Sequence, residues 1–132
     1  MSAEPILIEF PVMGNSDIGY LTVAESPLVP FDIKRVYWTY YTSEKIARGH
    51  HAHYNLQQLI FAVSGSIIIT LEDLSGSVKE FLLDKPSIGL YVPKLHWRTI
   101  KFSNNSVLLC LASDKFYESD YIRSFEEFKK IK

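Results

Sequence analysis

Short runs of β-branched and aromatic residues, each closed by turn residues, follow one another along almost the whole chain. The predicted strands are 6–12, 19–24, 33–42, 57–63, 66–72, 78–83, 90–92, 97–102 and 107–112. Turn signals separate them, for example Ser64-Gly65 and the segment 103–106. About nine short strands at regular spacing predict a closed all-β sandwich or barrel. A small barrel of this kind can hold one ligand inside.

The C-terminal end is the part with a helical pattern. Ser124 and Glu127 fit a capping box, and Phe125 and Phe128 fall on one helix face. With 132 residues, of which 47% are hydrophobic, the chain is expected to form one domain over residues 1–132 with a core that needs no disulfide. The lone cysteine, Cys110, lies in an apolar run and is interpreted as core packing.

Charge and hydropathy exclude several classes of protein. The formal net charge of −1 gives no broad electrostatic reason to bind nucleic acid or an anionic membrane. No stretch reaches transmembrane length, and the N-terminus lacks a basic region followed by an apolar one. A cytoplasmic location is therefore expected.

Three of the four histidines fall within four positions, just before the apolar run 59–63. His51 and His53 are two residues apart, so on an extended strand they point to the same face, whereas His50 points to the other. Two adjacent imidazoles can bind a metal or move protons near neutral pH.

The histidine segment resembles the first motif of the cupin β-barrels, which are jelly rolls. The residues that carry this resemblance are Arg48, His51, His53, Gln58 and Gly65. A metal-binding cupin typically has Glu where Gln58 stands, and a neutral amide is a poorer ligand for a divalent cation. His96 is the candidate for a third ligand. A metal-dependent cupin such as a dioxygenase is therefore the alternative to metal-free proton chemistry.

Five blocks along the chain carry a second, narrower resemblance: Phe31-Asp-Ile-Lys-Arg-Val-Tyr37, Arg48-Gly-x-His51-Ala-His53, Gly89-Leu-Tyr-Val92, Trp97 and Leu111-Ala-Ser-Asp-x-x-Tyr117-x-x-x-Asp120-Tyr-Ile-Arg123. These blocks resemble the dTDP-4-keto-6-deoxyglucose 3,4-ketoisomerases, small cupin enzymes of nucleotide-sugar biosynthesis. Several relatives have His directly after the tryptophan, where this chain has Arg98. The resemblance implies an isomerase that acts on a dTDP-sugar with no metal or bound cofactor. A non-catalytic nucleotide-sugar-binding barrel is a third hypothesis.

The chemistry of such an enzyme suggests roles for three residues. Moving a keto group from C4 to C3 requires removal of the C3 proton and protonation of C4 through an enediolate. His51 is the expected main base and His53 its partner. Tyr37, on the same strand face as Arg35, is the candidate acid or oxyanion donor. The sequence leaves the galacto or gluco configuration of the product open.

The nucleotide needs other side chains. Guanidinium groups suit a diphosphate, and the candidates are Arg48, Arg35, Arg98 and Arg123. Tyr91 or Trp97 is expected to stack on the thymine ring. Asp120 and Arg123, three residues apart, are interpreted as an intrahelical ion pair.

The resemblance also implies a homodimer and a downstream aminated, acylated deoxyhexose of a surface polysaccharide or glycoprotein glycan. The apolar N-terminal residues 6–10 can pack on a partner's sheet, although a strand folded back within the same subunit has the same sequence pattern.

Overall fold

The computed structural model describes residues 3–132. The strands are β1 Ile6–Glu9, β2 Val12–Asn15, β3 Gly19–Thr22, β4 Arg35–Thr39, β5 Arg48–His53, β6 Gln58–Ser64, β7 Ile67–Glu72, β8 Val78–Leu83, β9 Ile88–Val92, β10 Trp97–Phe102, β11 Val107–Ala112 and β12 Tyr121–Ile122. A 3-10 turn, Glu118–Asp120, precedes β12, and the helix α1, Phe125–Lys129, follows it. These elements confirm the all-β prediction with a short C-terminal helix.

Two five-stranded antiparallel sheets carry the architecture. The first has the order β1-β9-β6-β11-β4 and the second the order β12-β5-β10-β7-β8, while β2 and β3 form a separate hairpin. Both sheets contribute side chains to one apolar cluster, which includes Ile60, Ile69, Leu90, Ile100 and Cys110. The sheets therefore pack face to face around this core, and the prediction that Cys110 is a core residue is confirmed.

The first sheet is also covered on its outer face. Alternate residues of β6 enter different clusters: Ile60 and Ala62 face the inter-sheet core, whereas Leu59 and Phe61 pack in a second cluster with Phe10. Burial on both faces explains why β6 is a continuous apolar run instead of an alternating one.

Helix α1 covers the outer face of the second sheet next to the histidine strand. The Ser124 hydroxyl accepts a hydrogen bond from the Glu127 backbone N–H at 3.3 Å, which confirms the predicted cap. Phe128 is fully buried against Ala52 and Ile122, so the helix supports β5 between the two histidines. Neither helical segment within residues 3–132 has the length and apolar character needed to cross a bilayer.

The N-terminal region differs from its prediction. Residues 6–12 form parts of two strands, because the chain turns away at Pro11, which lacks a backbone donor for the ladder. Gly14 and Asn15 end strand β2. The next turn starts at Asn15, whose side chain accepts from the Asp17 N–H at 2.9 Å. Strand β1 pairs with β9 of the same chain.

Candidate active site

Three strands from different parts of the chain enclose a polar cavity at one end of the sandwich. Its volume is about 510 Å³, within the usual range for small-molecule sites. It is lined by Arg35, Tyr37, Arg48, Gly49, His50, His51, Tyr121 and Arg123. Larger depressions of about 670 and 740 Å³ lie elsewhere and contain neither His51 nor Tyr37. The smaller cavity is the one that collects titratable and cationic groups, so we treat it as the candidate active site.

A β-bulge in β5 sets the direction of the histidines. Arg98 of β10 pairs with His51, but the next residue, Thr99, pairs with Gly49, so His50 is the extra residue. Gly49 and His50 both have positive φ, at 90° and 57°. A Cβ at Gly49 would lie 2.9 Å from the Arg98 carbonyl oxygen, so the close approach of β5 and β10 requires glycine. Bulges of this kind commonly redirect a side chain at a functional site.

His51 is held in one tautomer. Its Nδ1 lies 3.0 Å from the Gly49 carbonyl oxygen, which can only accept, so Nδ1 carries the proton and Nε2 has the free lone pair. Burial, followed by the positive charge of Arg98, lowers the pKa of His51 to about 4. The imidazole is therefore neutral at pH 7 and ready to accept a proton. The His51 and His53 rings lie 4.9 Å apart, which confirms that they share a face.

His53 lies deeper than His51, with 1% of its surface exposed. Neither ring nitrogen has a hydrogen-bond partner within residues 3–132, and Nδ1 lies 3.6 Å from Asp120 Oδ2. Burial and Arg98 lower the pKa of His53 to about 2. A carboxylate at hydrogen-bond distance would raise this pKa, but the separation is too long, so desolvation dominates.

The interpretation of Asp120 and Arg123 as an intrahelical pair is wrong, because Asp120 is in the 3-10 turn and Arg123 follows β12. The Asp120 carboxylate accepts from the backbone N–H groups of Asn55 and Leu56 at 2.9 and 3.1 Å. Arg123 instead donates two bonds to Glu118, at 2.7 and 2.8 Å.

A buried polar network lies behind the histidines. Arg98, with 2% of its surface exposed, donates through Nη1 to Gln58 Oε1. Gln58 Nε2 donates to the Tyr37 hydroxyl at 2.9 Å and to Cys110 Sγ at 3.3 Å. Although 36% of Tyr37 is exposed, its hydroxyl oxygen contacts this buried network. Burial therefore raises the pKa of Tyr37, which stays protonated and can donate a hydrogen bond.

Cationic groups surround the mouth of the cavity. Arg35, Arg48 and Arg123 line it, as the sequence predicts for residues that bind a diphosphate. The Arg35 guanidinium lies 5.6 Å from the Tyr37 ring centre, and that of Arg123 lies 4.3 Å from the ring of Tyr121. Aromatic faces thus hold two of the three guanidinium groups in place.

Besides His53, which lies deeper than His51, four candidate residues lie away from the cavity lining. Arg98 is buried behind the lining against Gln58, so it is not a mouth residue that grips a diphosphate. Tyr91 packs on the outer face of the first sheet and donates to Gln57 Oε1 at 2.6 Å. Trp97 packs against Phe125 and Phe128 under α1. The expected thymine-stacking roles of Tyr91 and Trp97 are therefore not supported by their positions.

His96 is the fourth, and it bears on the metal alternative. Its Nδ1 lies 2.9 Å from the Lys94 carbonyl oxygen, at a depression that does not contain His51. Within residues 3–132, no group of three or more His, Cys, Asp and Glu side chains is arranged to hold a metal ion. The geometry therefore does not assemble the predicted three-histidine ligand set.

Sequence reasoning missed two residues of the cavity. Tyr121 packs its ring 4.3 Å from that of His53 and 5.1 Å from that of His51. It lies in β12, which has two residues and is too short for a periodic pattern to reveal. His50 was expected to face away from the site, but the bulge places it at the mouth.

The fold and the cavity together define a small, double-sheet β-barrel protein with His51 and Tyr37 in one polar cavity. A family model described as "FdtA: WxcM-like, C-terminal" matches residues 3–132. The chain belongs to this family.

Two similar proteins are named as sugar 3,4-oxoisomerase or 3,4-ketoisomerase. The chain is 38% identical over 125 residues to a TDP-4-oxo-6-deoxy-alpha-D-glucose-3,4-oxoisomerase of Aneurinibacillus thermoaerophilus, covering 94% of this chain and 89% of the relative. It is also 38% identical to the sugar 3,4-ketoisomerase QdtA of Thermoanaerobacterium thermosaccharolyticum, solved with TDP; the TM-score is 0.90, and 95% and 91% of the two chains are covered.

A histidine-to-asparagine variant of QdtA, solved in complex with TDP-4-keto-6-deoxyglucose, has a TM-score of 0.90 and 37% identity, over 98% of this chain and 94% of that one. The resemblance to the sugar 3,4-ketoisomerases is thus confirmed. A dTDP-4-dehydrorhamnose 3,5-epimerase of Bacillus anthracis is 16% identical, with a TM-score of 0.78 over 89% of this chain and 77% of that one. At this identity the likeness concerns the fold, and it confirms the predicted cupin β-barrel.

Proposed function

We propose that this protein is a sugar 3,4-ketoisomerase that converts dTDP-4-keto-6-deoxy-D-glucose into a dTDP-3-keto-6-deoxyhexose. The observation that carries the proposal is the fixed tautomer of His51, which leaves its Nε2 lone pair free. His51 lines the same cavity as Tyr37, whose hydroxyl is protonated. The names of the relatives support the same substrate and reaction.

The reaction follows from the acidity of the substrate. The C4 carbonyl acidifies the C3–H bond, so a neutral imidazole can remove that proton and leave an enediolate. Protonation of the C4 oxygen, loss of the C3 hydroxyl proton and return of a proton to C4 place the ketone at C3. These steps together are an isomerisation, because the substrate and the product have the same atoms and the same number of electrons.

Three side chains divide this work. His51 takes the C3 proton, because its Nε2 is the free nitrogen and its low pKa keeps it neutral. Tyr37 donates to the developing oxyanion, because its raised pKa keeps the phenol protonated. His53 contacts the His51 ring edge to face and supports its position.

The diphosphate of the substrate is proposed to lie at the mouth. Arg48, Arg35 and Arg123 provide forked donors there, and diphosphate oxygens accept such bonds in pairs. Arg98, Tyr91 and Trp97 are left out of this set because they lie outside the cavity lining.

Proton NMR of the reaction in D₂O tests the proposal. We expect deuterium at C4 of a 3-keto product, and the coupling pattern at C4 then gives the galacto or gluco configuration. His51→Asn should lose turnover while its Kd for TDP stays within about threefold of wild type, because the base is removed and the arginines remain. An unchanged substrate with the wild-type protein contradicts the proposed reaction, and turnover by His51→Asn contradicts the role of that residue.

We further propose that residues 1–132 form one catalytic domain, and that it works in the cytoplasm as a homodimer. Strand β4 is an edge strand whose outward residues Val36 and Trp38 are 47% and 60% exposed. Exposed apolar residues on an edge strand favour a second copy as the covering partner. Light scattering should give twice the chain mass, and Trp38→Glu should give the monomer mass. A monomeric wild type contradicts the proposal.

The product is proposed to continue towards an aminated, acylated deoxyhexose of a surface polysaccharide or glycan. A 3-keto group is the functional group that a transaminase requires, so an amino-transfer reaction is the class that would consume it. Coupled incubation of the product with an amino donor and a sugar 3-aminotransferase tests this step.

A further inference from the structure

A chain of three hydrogen-bonded side chains leads from the buried interior to the cavity: first Arg98, then Gln58 and then Tyr37. Arg98 and Gln58 are each 2% exposed, and Arg98 donates to Gln58 Oε1 and, at 3.4 Å, to the His96 carbonyl. None of the carboxylates within residues 3–132 forms a salt bridge with Arg98. A buried cation without a counterion is costly, so a neutral amide as its main acceptor needs an explanation.

The guanidinium fixes which way the Gln58 amide points. Arg can only donate, so the amide oxygen must face Arg98, and the NH₂ group must face the other side. That group donates to the Tyr37 hydroxyl at 2.9 Å and to Cys110 Sγ at 3.3 Å. The amide orientation is therefore dictated by Arg98, 40 residues away in sequence.

The amide in turn fixes the proton of the phenol. Because the Tyr37 oxygen accepts from Gln58, its own proton must point away from the amide. Tyr37 lines the cavity, so a substrate oxygen bound there can accept that proton. The positive charge of Arg98 also polarises the amide and strengthens its N–H donor.

We propose that Gln58 is a positioning residue for the isomerisation: it directs the Tyr37 hydroxyl proton to the substrate oxygen that becomes negative. This inference rests on the proposed function. A carboxylate of the same shape at position 58 has no donor, so the Tyr37 proton would turn towards it and leave the substrate. An amide is thus required for orientation, at the cost of leaving the buried Arg98 without a counterion.

Gln58→Glu tests the proposal because it changes one donor group and almost no volume. We expect kcat to fall about 100-fold with KM within about threefold, since an acid–base contribution is lost and the diphosphate contacts remain. The assay contains a chelator, so that no metal held by the new carboxylate contributes. Wild-type kcat in this variant overturns the proposal.

The Tyr37→Phe background separates positioning from a general effect of the added charge. If Gln58 acts through the Tyr37 hydroxyl, Gln58→Glu should lower kcat less than about threefold once that hydroxyl is absent. Losses that multiply in the double variant contradict the proposal, because they show that the carboxylate acts without Tyr37.

Thermal unfolding tests the network without using activity. Gln58→Glu should raise Tm or leave it unchanged because Arg98 gains a counterion, whereas Gln58→Leu should lower it by several degrees because Arg98 loses its side-chain acceptor. This order of Tm values stays testable even if the wild-type protein has no isomerase activity. The reverse order contradicts the contact on which the proposal depends.

Discussion

Asp120 connects the histidine strand to the C-terminal segment through backbone contacts. Its carboxylate accepts from the N–H groups of Asn55 and Leu56, just after His53, and lies beside the His53 ring. Hydrogen bonds to a charged acceptor contribute about 1.5–3 kcal/mol each, less at a partly exposed site. The same residue therefore holds the loop after β5 and limits the position of His53.

We predict that Asp120→Ala lowers the free energy of unfolding by about 2 kcal/mol, and that Asp120→Asn costs about half as much because one acceptor oxygen remains. Urea unfolding monitored by tryptophan fluorescence measures both values. Asn55→Ala is the matched control, since it removes a single side-chain bond to Asp120, at 3.3 Å. Equal stability of Asp120→Ala and wild type would show that these bonds contribute nothing.

Glu118 forms an ion pair with Arg123, one of the arginines proposed to bind the diphosphate. The two side chains are exposed and form a forked pair, in which Glu118 accepts from two donors of Arg123 that a phosphate group would also need. We predict that Glu118→Gln lowers the Kd for TDP roughly threefold, because the competing charge is removed from Arg123. Isothermal titration calorimetry at low salt measures the change.

Glu126→Gln is the control for the loss of one negative charge, since Glu126 is exposed on α1. It should leave the Kd for TDP within error of wild type. A Kd for TDP that is unchanged or higher in Glu118→Gln would show that the Glu118 carboxylate does not compete with the nucleotide for Arg123.

At the scale of elements, the bulge in β5 sets the positions of His50 and His51 in the site. The sequence shows that His51 and His53 share a face, but it gives no sign that Gly49 and His50 both have positive φ. That conformation depends on the close approach of Arg98, which lies about fifty residues further along the chain. A periodic pattern describes neighbours in sequence and cannot report such a contact.

We predict that Gly49→Ala lowers the free energy of unfolding by about 3 kcal/mol, because the methyl group meets the Arg98 backbone and the positive φ is strained. Urea unfolding measures it. Gly76→Ala is the matched control, since its φ is 86° and a Cβ there meets nothing within 4 Å. We expect about 1 kcal/mol at Gly76. Equal losses at both positions would exclude a steric contribution from Arg98.

Local sequence signals predicted the regular elements well. Strands β8, β10 and β11 have the predicted bounds, and the Ser124 cap starts α1 as expected. These elements depend on alternation, turn residues and capping, which are properties of neighbouring residues. The division of residues 6–12 into β1 and β2 and the two-residue strand β12 were missed because long-range pairing decides them.

At the scale of the whole molecule, the site depends on which sheet face each residue reaches. The sequence identified His51, His53, Tyr37 and the mouth arginines because a motif or a strand face carries them. Tyr91 and Trp97 were misplaced because both faces of their sheets are covered, so an aromatic residue there packs outside the barrel as readily as inside. Burial on two sides removes the alternation that would have distinguished the faces.

The two buried histidines make the stability of the fold depend on pH. The pKa of His51 falls to about 4 and that of His53 to about 2, both below the ordinary value of 6.5. Between these values and 6.5 the unfolded chain binds protons that the folded chain does not, so acid favours unfolding. The stability contributed by the neutral rings is complete above about pH 6.5 and is lost progressively as the pH falls, down to about 4 for His51 and about 2 for His53.

We predict that the free energy of unfolding falls by roughly 2 kcal/mol or more between pH 7 and pH 4.5, as measured by urea unfolding at constant ionic strength. His51→Asn should show a smaller decrease over the same interval, because asparagine does not titrate and His53 alone of the pair remains. A stability independent of pH over this interval would mean that the rings reach solvent in the folded protein, and it would contradict the low pKa values of His51 and His53.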